Sequence, residues 1–334
     1  MAQPIAVIGA GSFGTCLAML CARENDVVLW ARDPDVADAI NREHRNPRYL
    51  SETPLPEAVR ATTDIEETVR DSEMVVCAVP SHAVREVMLR AAPSLPPESV
   101  LVSAVKGIEY ETGMTMHQVL EDVLPEVHHP RIVSLSGPSF ASEIAQRLPT
   151  VVTLACREET YAISVQATLS CPWFRCYSSP DVMGVEIGGA LKNVIAIAVG
   201  IGDGQLQGFN SRAALMTRGL AEITRLGVKL GADRSTFLGL SGMGDLLLTC
   251  TGDLSRNRRV GIALGQGREL ETILTEMGEV AEGVQTTRAA CRLADRIAVD
   301  LPITAMVRQV IDGELTPAEA GRRLMTRQLR SESE

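Results

Sequence analysis

Gly9-Ala10-Gly11-Ser12-Phe13-Gly14 stands where the strand candidate Ile5 to Gly9 ends and the helix candidate Thr15 to Arg23 begins. In that strand-turn-helix setting G-x-G-x-x-G is a dinucleotide fingerprint. The first glycine permits the tight turn, the second lets backbone approach a pyrophosphate, and the third allows close packing of helix on strand. A pyrophosphate held there meets the free N–H groups and the positive end of the helix. A glycine turn that binds nothing is the alternative, and the flanking elements count against it. The fingerprint makes the first domain α/β, a Rossmann-type doubly wound sheet.

Outward from it, further strand candidates are Val27 to Trp30, Met74 to Val79, Val100 to Val105, Ile132 to Ser136, Val151 to Ala155 and Phe174 to Tyr177, alternating with helical stretches such as His82 to Ala91. This alternation predicts a parallel sheet flanked by helices. After about Pro180 the strand signals fade. Helical periodicity then covers Val185 to Ile201, Ser211 to Leu230, Arg256 to Gly265, Gln285 to Ile297 and Ala305 to Asp312. Thr316-Pro317 opens one more helix, to Leu324, as a cap followed by proline in the first turn. A chain of 334 residues exceeds what one core usually serves. We therefore expect a dinucleotide-binding domain over residues 1–180 and an all-helical, substrate-binding C-terminal domain over 181–330.

Composition narrows the function. A net charge of −10 disfavours a general nucleic-acid surface, so cations for an anionic substrate must be locally concentrated. The longest apolar-and-glycine run, Val194 to Ile201, is too short to span a bilayer, and the first residues carry no basic segment or cleavage site. A cytoplasmic enzyme, not embedded in a membrane, is expected. The eight cysteines show no C-x-x-C pair and suit reduced core thiols rather than a disulfide or zinc site; no metal is expected. Only three lysines, Lys106, Lys192 and Lys229, accompany 29 arginines. Codon bias explains most of that ratio, but a lysine in a desolvated site can exchange a proton and an arginine cannot.

The end of the second strand usually carries an acid for the adenosine ribose. Here Leu29-Trp30-Ala31-Arg32-Asp33 offers Arg32, which could pair with a 2′-phosphate, while Asp33 could cap the following helix. NADPH is favoured over NADH, and neither is excluded; a solvated Arg32 is the alternative.

Five short segments suit a phosphate and a transferable proton. Val105-Lys106-Gly107 ends a strand, where ligands of open sheets sit, and Ser136-Gly137-Pro138-Ser139-Phe140-Ala141 turns from strand to helix; either could be structural punctuation. Gly188-Gly189-Ala190-Leu191-Lys192-Asn193 clears bulk from the helical face beside Lys192, at a helix cost of about 1 kcal/mol per glycine. Space for a ligand is preferred there to close helix packing. In Ser241-Gly242-Met243-Gly244-Asp245 the carboxylate could orient a lysine or cap a helix. Leu254-Ser255-Arg256-Asn257-Arg258-Arg259 gathers a hydroxyl, an amide and three guanidiniums at a helix start, the local cationic concentration sought, with a solvated basic face as the alternative. All five histidines precede residue 130, which leaves Lys192 the best candidate for the proton in a hydride-transfer reaction; Lys229 is expected to face solvent.

The segments GAGSFGT, AVPSHA, VKG, SGPSFA, GGALKN, GDLLLTC, SRNRR and VAEGVQT occur in an order that resembles bacterial NAD(P)-dependent glycerol-3-phosphate dehydrogenases over nearly the whole chain. The resemblance implies a C-terminal domain like that of 6-phosphogluconate dehydrogenase. It also implies reversible hydride transfer between NAD(P)H and dihydroxyacetone phosphate, giving glycerol 3-phosphate for phospholipid synthesis, and a homodimer. Carried onto matching positions, it makes Lys192 the proton acceptor, with Lys106, Gly137, Ser139, Asp245, Ser255, Arg256 and Asn257 around the substrate. It gives Ser12, Phe13, Arg32, Lys106, Ala141, Arg256, Val280 and Glu282 to the dinucleotide, beside Gly9, Gly11 and Gly14. Val105 stands where the family usually has threonine, and Ser139 keeps the hydroxyl of another. Two rivals remain: a two-domain dehydrogenase of hydroxy acids or ketoacids, which would not need the arginine cluster, and a nucleotide sensor without catalysis, which would not need Lys192 and Asp245.

Overall fold

In the computed structural model, which describes residues 3–278, 281–329 and 331–332, eight strands form one sheet. They are β1 (Pro4–Ile8), β2 (Asp26–Trp30), β3 (Val59–Thr62), β4 (Met74–Cys77), β5 (Val100–Ser103), β6 (Ile132–Ser136), β7 (Thr150–Ala155) and β8 (Phe174–Ser179). The order is β3-β2-β1-β4-β5-β6-β7-β8. Side-chain alternation explains the burial of both faces. Ile5 and Val7 join one apolar cluster and Ala6 and Ile8 another, and Met74 and Val76 part from Val75 and Cys77 in the same way. The chain turns to β2 and β3 on one side of β1 and returns to β4 on the other, so the fingerprint turn lies at the switch point of the sheet.

Two strand expectations need correction. β3 was not anticipated, because Val59-Arg60-Ala61-Thr62 is a four-residue edge strand with little apolar signal. The sheet is also not wholly parallel, since β7 runs antiparallel to β6. The connection between them holds only a five-residue helix, Ala141–Ala145, too little to carry the chain back for a parallel crossover.

The helices flanking the sheet are α1 (Ser12–Cys21), α2 (Pro34–Glu43), α3 (Ile65–Val69), α4 (Val84–Ala91), α5 (Met116–Val123), α6 (Ala141–Ala145) and α7 (Glu159–Leu169). Beyond β8 follow α8 (Val182–Gly204), α9 (Gly208–Lys229), α10 (Asp245–Thr251), α11 (Arg256–Gly265), α12 (Leu270–Met277), α13 (Glu282–Arg296), α14 (Pro302–Ile311) and α15 (Pro317–Met325). Thr316 caps α15 with Pro317 in its first turn, as the sequence predicts, and Glu319 completes a reciprocal box with it.

α8 organises this second part. Asp181 starts it by accepting the Gly184 N–H at 2.9 Å, and every residue from Gly184 to Gly202 is buried. It has the length and the mean hydropathy, 1.6, of a membrane span, yet it lies inside the protein, packed by α9, α10, α11, α13 and α14. Small residues four apart fix its partner. A Cβ at Gly200 would fall 2.3 Å from the Arg258 carbonyl oxygen, and one at Gly261 would fall 2.2 Å from that of Ile197; Gly204 and Gly265 repeat the contact one turn on. The backbones of α8 and α11 thus touch directly, which brings Asn257 at the start of α11 to Asn193 beside Lys192.

Candidate active site

The surroundings of the three fingerprint glycines differ. Gly9 has φ +115, and a Cβ there would meet the Ala78 backbone at 2.9 Å; a Cβ on Gly14 would lie 1.8 Å from the Gly9 carbonyl oxygen, so both are demanded by turn and packing. Gly11 differs, since its Cβ would meet no protein atom within 4 Å among the described residues. Gly11 is also the N-cap of α1 and brings no side chain to its N–H groups. This open cradle at a helix N-terminus fits a pyrophosphate. Arg32 is exposed just past β2, and Asp33 caps α2 by accepting the Asp35 N–H at 3.0 Å.

Past the ends of β5 and β6, two lysines converge on one carboxylate. Asp245 is wholly buried; its Oδ1 accepts from Lys192 Nζ and its Oδ2 lies 2.6 Å from Lys106 Nζ. Lys106 also donates to the Gly137 carbonyl at 3.1 Å, and Ser139 donates to the same oxygen at 2.9 Å. Thr249, one turn after Asp245, donates to the Asp245 carbonyl at 2.7 Å and lies 3.4 Å from its Oδ1. Burial pushes the Lys192 ammonium down, Asp245 opposes this and Lys106 adds to it, leaving Lys192 at about 7. Burial alone would raise Asp245, but the two ammoniums outweigh it and hold the carboxyl below its usual range. The site therefore contains a nearly neutral-range lysine held by an ionised carboxylate.

Asp245 does not cap α10, whose N-cap is Gly244; its side chain is spent on the lysines. The glycines before Lys192 also correct an expectation. A Cβ on Gly188 would fall 2.6 Å from the Ser241 carbonyl oxygen and one on Gly189 2.6 Å from Ser136 Oγ, so they answer to close packing rather than to ligand space. The buried hydroxyls of Ser136 and Ser241 have no hydrogen-bond partner among the described residues.

At the start of α11, Ser255 is buried and accepts the Arg258 N–H at 3.3 Å as the N-cap. Asn257 donates to Asn193 Oδ1 and accepts the Gly283 N–H, both at 2.9 Å. Arg258 is turned onto Asp203 and Asp253, each at 2.9 Å, so the expected trio of guanidiniums is reduced: Arg258 is consumed in packing, while Arg256 and Arg259 are exposed. Glu282, first residue of α13, accepts the Ser81 N–H at 3.0 Å and the Ser81 hydroxyl, tying the loop after β4 to the helical part.

The family model described as NAD-dependent glycerol-3-phosphate dehydrogenase N-terminus matches residues 4–162, and its C-terminus counterpart matches residues 181–322. The chain belongs to the NAD-dependent glycerol-3-phosphate dehydrogenase family. It is 53% identical over 327 residues to a protein of Myxococcus xanthus named glycerol-3-phosphate dehydrogenase [NAD(P)+], covering 98% of each chain. A Leptospira biflexa protein of the same name is 48% identical over 98% of this chain and 99% of its own. The crystal structure of glycerol-3-phosphate dehydrogenase from Coxiella burnetii superposes with a TM-score of 0.93 at 37% identity, covering 98% of this chain and 99% of that one. A ketopantoate reductase from Ralstonia eutropha shares the fold alone, at a TM-score of 0.63 and 14% identity over 96% of this chain and 100% of that one.

Of the residues that family likeness suggested, Lys106, Gly137, Ser139, Lys192 and Asp245 form one hydrogen-bonded cluster, and Asn257 bonds Asn193, the residue after Lys192 in the chain. Ser12, Phe13 and Ala141 lie at the starts of α1 and α6. Val280 lies outside the described residues. The dehydrogenase motifs alone did not single out Thr249, Asn193 or Ser81. Thr249 had a signal, since it stands four residues after Asp245 in the GDLLLTC segment, hence on the same helical face.

Proposed function

We propose that this protein reduces dihydroxyacetone phosphate to sn-glycerol 3-phosphate with NADPH or NADH, reversibly, and that Lys192 moves the proton. The observation that carries this reading is the buried Lys192–Asp245–Lys106 arrangement in a chain whose family is that of the NAD-dependent glycerol-3-phosphate dehydrogenases. Gly9, Gly11, Ser12, Phe13 and Gly14 would cradle the pyrophosphate, Arg32 would face the adenosine, and Lys106, Ala141, Arg256, Val280 and Glu282 would complete the cofactor contacts. When bound, the nicotinamide cofactor supplies the hydride that goes to C2 of the ketone.

The protein's part is charge and position. Lys192 gives its proton to the C2 oxygen as negative charge develops there, and Lys106 lends a second positive charge to the same region. Asp245 holds both ammoniums in place and keeps Lys192 from being an uncompensated buried cation. Gly137 and Ser139 line the substrate side, while Arg256, with Ser255 and Asn257 shaping the positive end of α11, takes the phosphate. In this reading residues 1–180 supply most of the cofactor contacts and residues 181–330 most of the substrate contacts, with Lys106, Gly137 and Ser139 crossing to the substrate and Arg256, Val280 and Glu282 to the cofactor.

The same reading makes the product a supply for phospholipid synthesis, in a cytoplasmic homodimer. Eight free cysteines suit a reducing compartment, and exposed Leu206 and Phe209 suit a partner copy. NADPH consumption, followed by the nicotinamide absorbance with dihydroxyacetone phosphate and with unphosphorylated dihydroxyacetone, tests the central assignment. Rapid turnover that depends on the phosphate is expected. Equal rates with both ketones, or none with either, would overturn it.

A further inference from the structure

Asp33, at the end of β2 where adenosine ribose is read, has both carboxylate oxygens engaged. Oδ1 accepts the Asp35 N–H at the start of α2, and Oδ2 lies 2.5 Å from the Arg48 guanidinium. The loop that carries Arg48 is anchored. Asn46 is wholly buried and donates from Nδ2 to the Ala10 carbonyl of the glycine turn at 2.9 Å and to the Thr15 hydroxyl of α1 at 2.8 Å. Its Oδ1 accepts the N–H of Arg48 and of Tyr49, both at 3.1 Å. One carboxamide, with its donors and its acceptor all used, thereby fixes the Arg48 backbone against the phosphate-binding turn.

We infer that Arg48 is a specificity-determining residue for the cofactor: it cancels the charge of Asp33 and sets a second guanidinium beside Arg32 for an adenosine 2′-phosphate, with Asn46 as the positioning residue. The inference rests on the dinucleotide reading of the glycine turn and adds to it the residues that choose between the two nicotinamide cofactors.

The physical step is a choice of sign. A bare carboxylate after β2 accepts from a ribose hydroxyl and repels a 2′-phosphate. Asp33 paired with Arg48 does neither well, because each of its oxygens already has a partner and its charge is matched. The side chain of Arg48 is 61% exposed, so the pair itself adds little to stability. Its effect is local: it changes what a nucleotide meets at the residue next to Arg32. Arg32 and Arg48 together can grip phosphate oxygens by charge-assisted hydrogen bonds that a ribose hydroxyl cannot match.

Calorimetric titration with adenosine 2′,5′-bisphosphate and with adenosine 5′-monophosphate tests this without any turnover. The natural protein should bind the bisphosphate more tightly. In Arg48→Gln the ratio of the two affinities should fall by about tenfold or more. The double variant Asp33→Asn, Arg48→Gln should recover part of that ratio, because the uncovered carboxylate is gone. Circular dichroism confirms that each variant is folded. An unchanged ratio in folded Arg48→Gln would overturn the inference and leave Arg48 a loop staple, with the dinucleotide reading intact. Failure of the natural protein to bind either nucleotide would overturn both.

Discussion

The two directions of the proposed reaction make opposite demands on Lys192. In the proposed mechanism reduction needs the Lys192 ammonium as donor and oxidation needs the neutral amine as acceptor. With Lys192 brought to about 7, kcat/KM for ketone reduction should fall as pH rises through about 7, and kcat/KM for alcohol oxidation should fall as pH drops through it. Asp245 is the influence that opposes burial at Lys192, so Asp245→Asn should move both limbs to lower pH. Profiles in both directions check this; limbs that stay in place in Asp245→Asn would detach the carboxylate from the proton step. The lysine was legible in the sequence, because three lysines among 29 arginines and the lack of histidine after residue 130 left few candidates. Its partnership was legible only as one of two readings of Asp245, which could orient a lysine or cap a helix. Lys106, Lys192 and Asp245 are far apart in the chain, and only the tertiary fold sets two ammoniums on one buried carboxylate.

At the scale of elements, α8 and α11 decide where the site is. Gly261→Val would drive a Cβ to 2.2 Å from the Ile197 carbonyl oxygen, and a helix backbone cannot yield as a side chain can. Overpacking of about 1–3 kcal/mol or more is expected, with lower activity because the start of α11 is pushed from Lys192. Urea unfolding beside the turnover rate checks both effects; a variant as stable as the natural protein would show that the helices tolerate separation. The long helices were legible from periodicity, and α11 was anticipated at its observed bounds. The same apolar signal could not say that the glycines of α8 serve packing, since a helix groove and a ligand cavity both ask for small residues. β3 and the reversal at β7 were illegible for a related reason: edge pairing and strand direction depend on connections rather than on a strand's own residues.

At the scale of the whole molecule, the proposed cofactor and substrate residues come from both halves, and the halves are tied at more than one place. Glu282 holds Ser81, and Arg296 donates to the Thr112 carbonyl at 2.8 Å while Arg292 lies over the Tyr110 ring. A ligand seated between glycine turn and helical part should therefore stabilise the chain as one body. NADPH at about a hundred times its Kd should add about 2.7 kcal/mol, seen as a rise in Tm of several degrees; no rise would contradict the cradle at Gly11. The order of short motifs was legible along nearly the whole chain, whereas the pairing of Arg258 with Asp203 and Asp253, which thins the expected arginine cluster, required the folded structure.

The most direct measurement is the rate of NADPH oxidation with dihydroxyacetone phosphate by the natural protein and by Lys192→Ala, with circular dichroism and NADPH binding showing the variant folded and loaded. A loss of about a hundredfold to ten-thousandfold in kcat is expected if Lys192 carries the proton. A folded, cofactor-binding Lys192→Ala that keeps most of the natural rate would contradict the account.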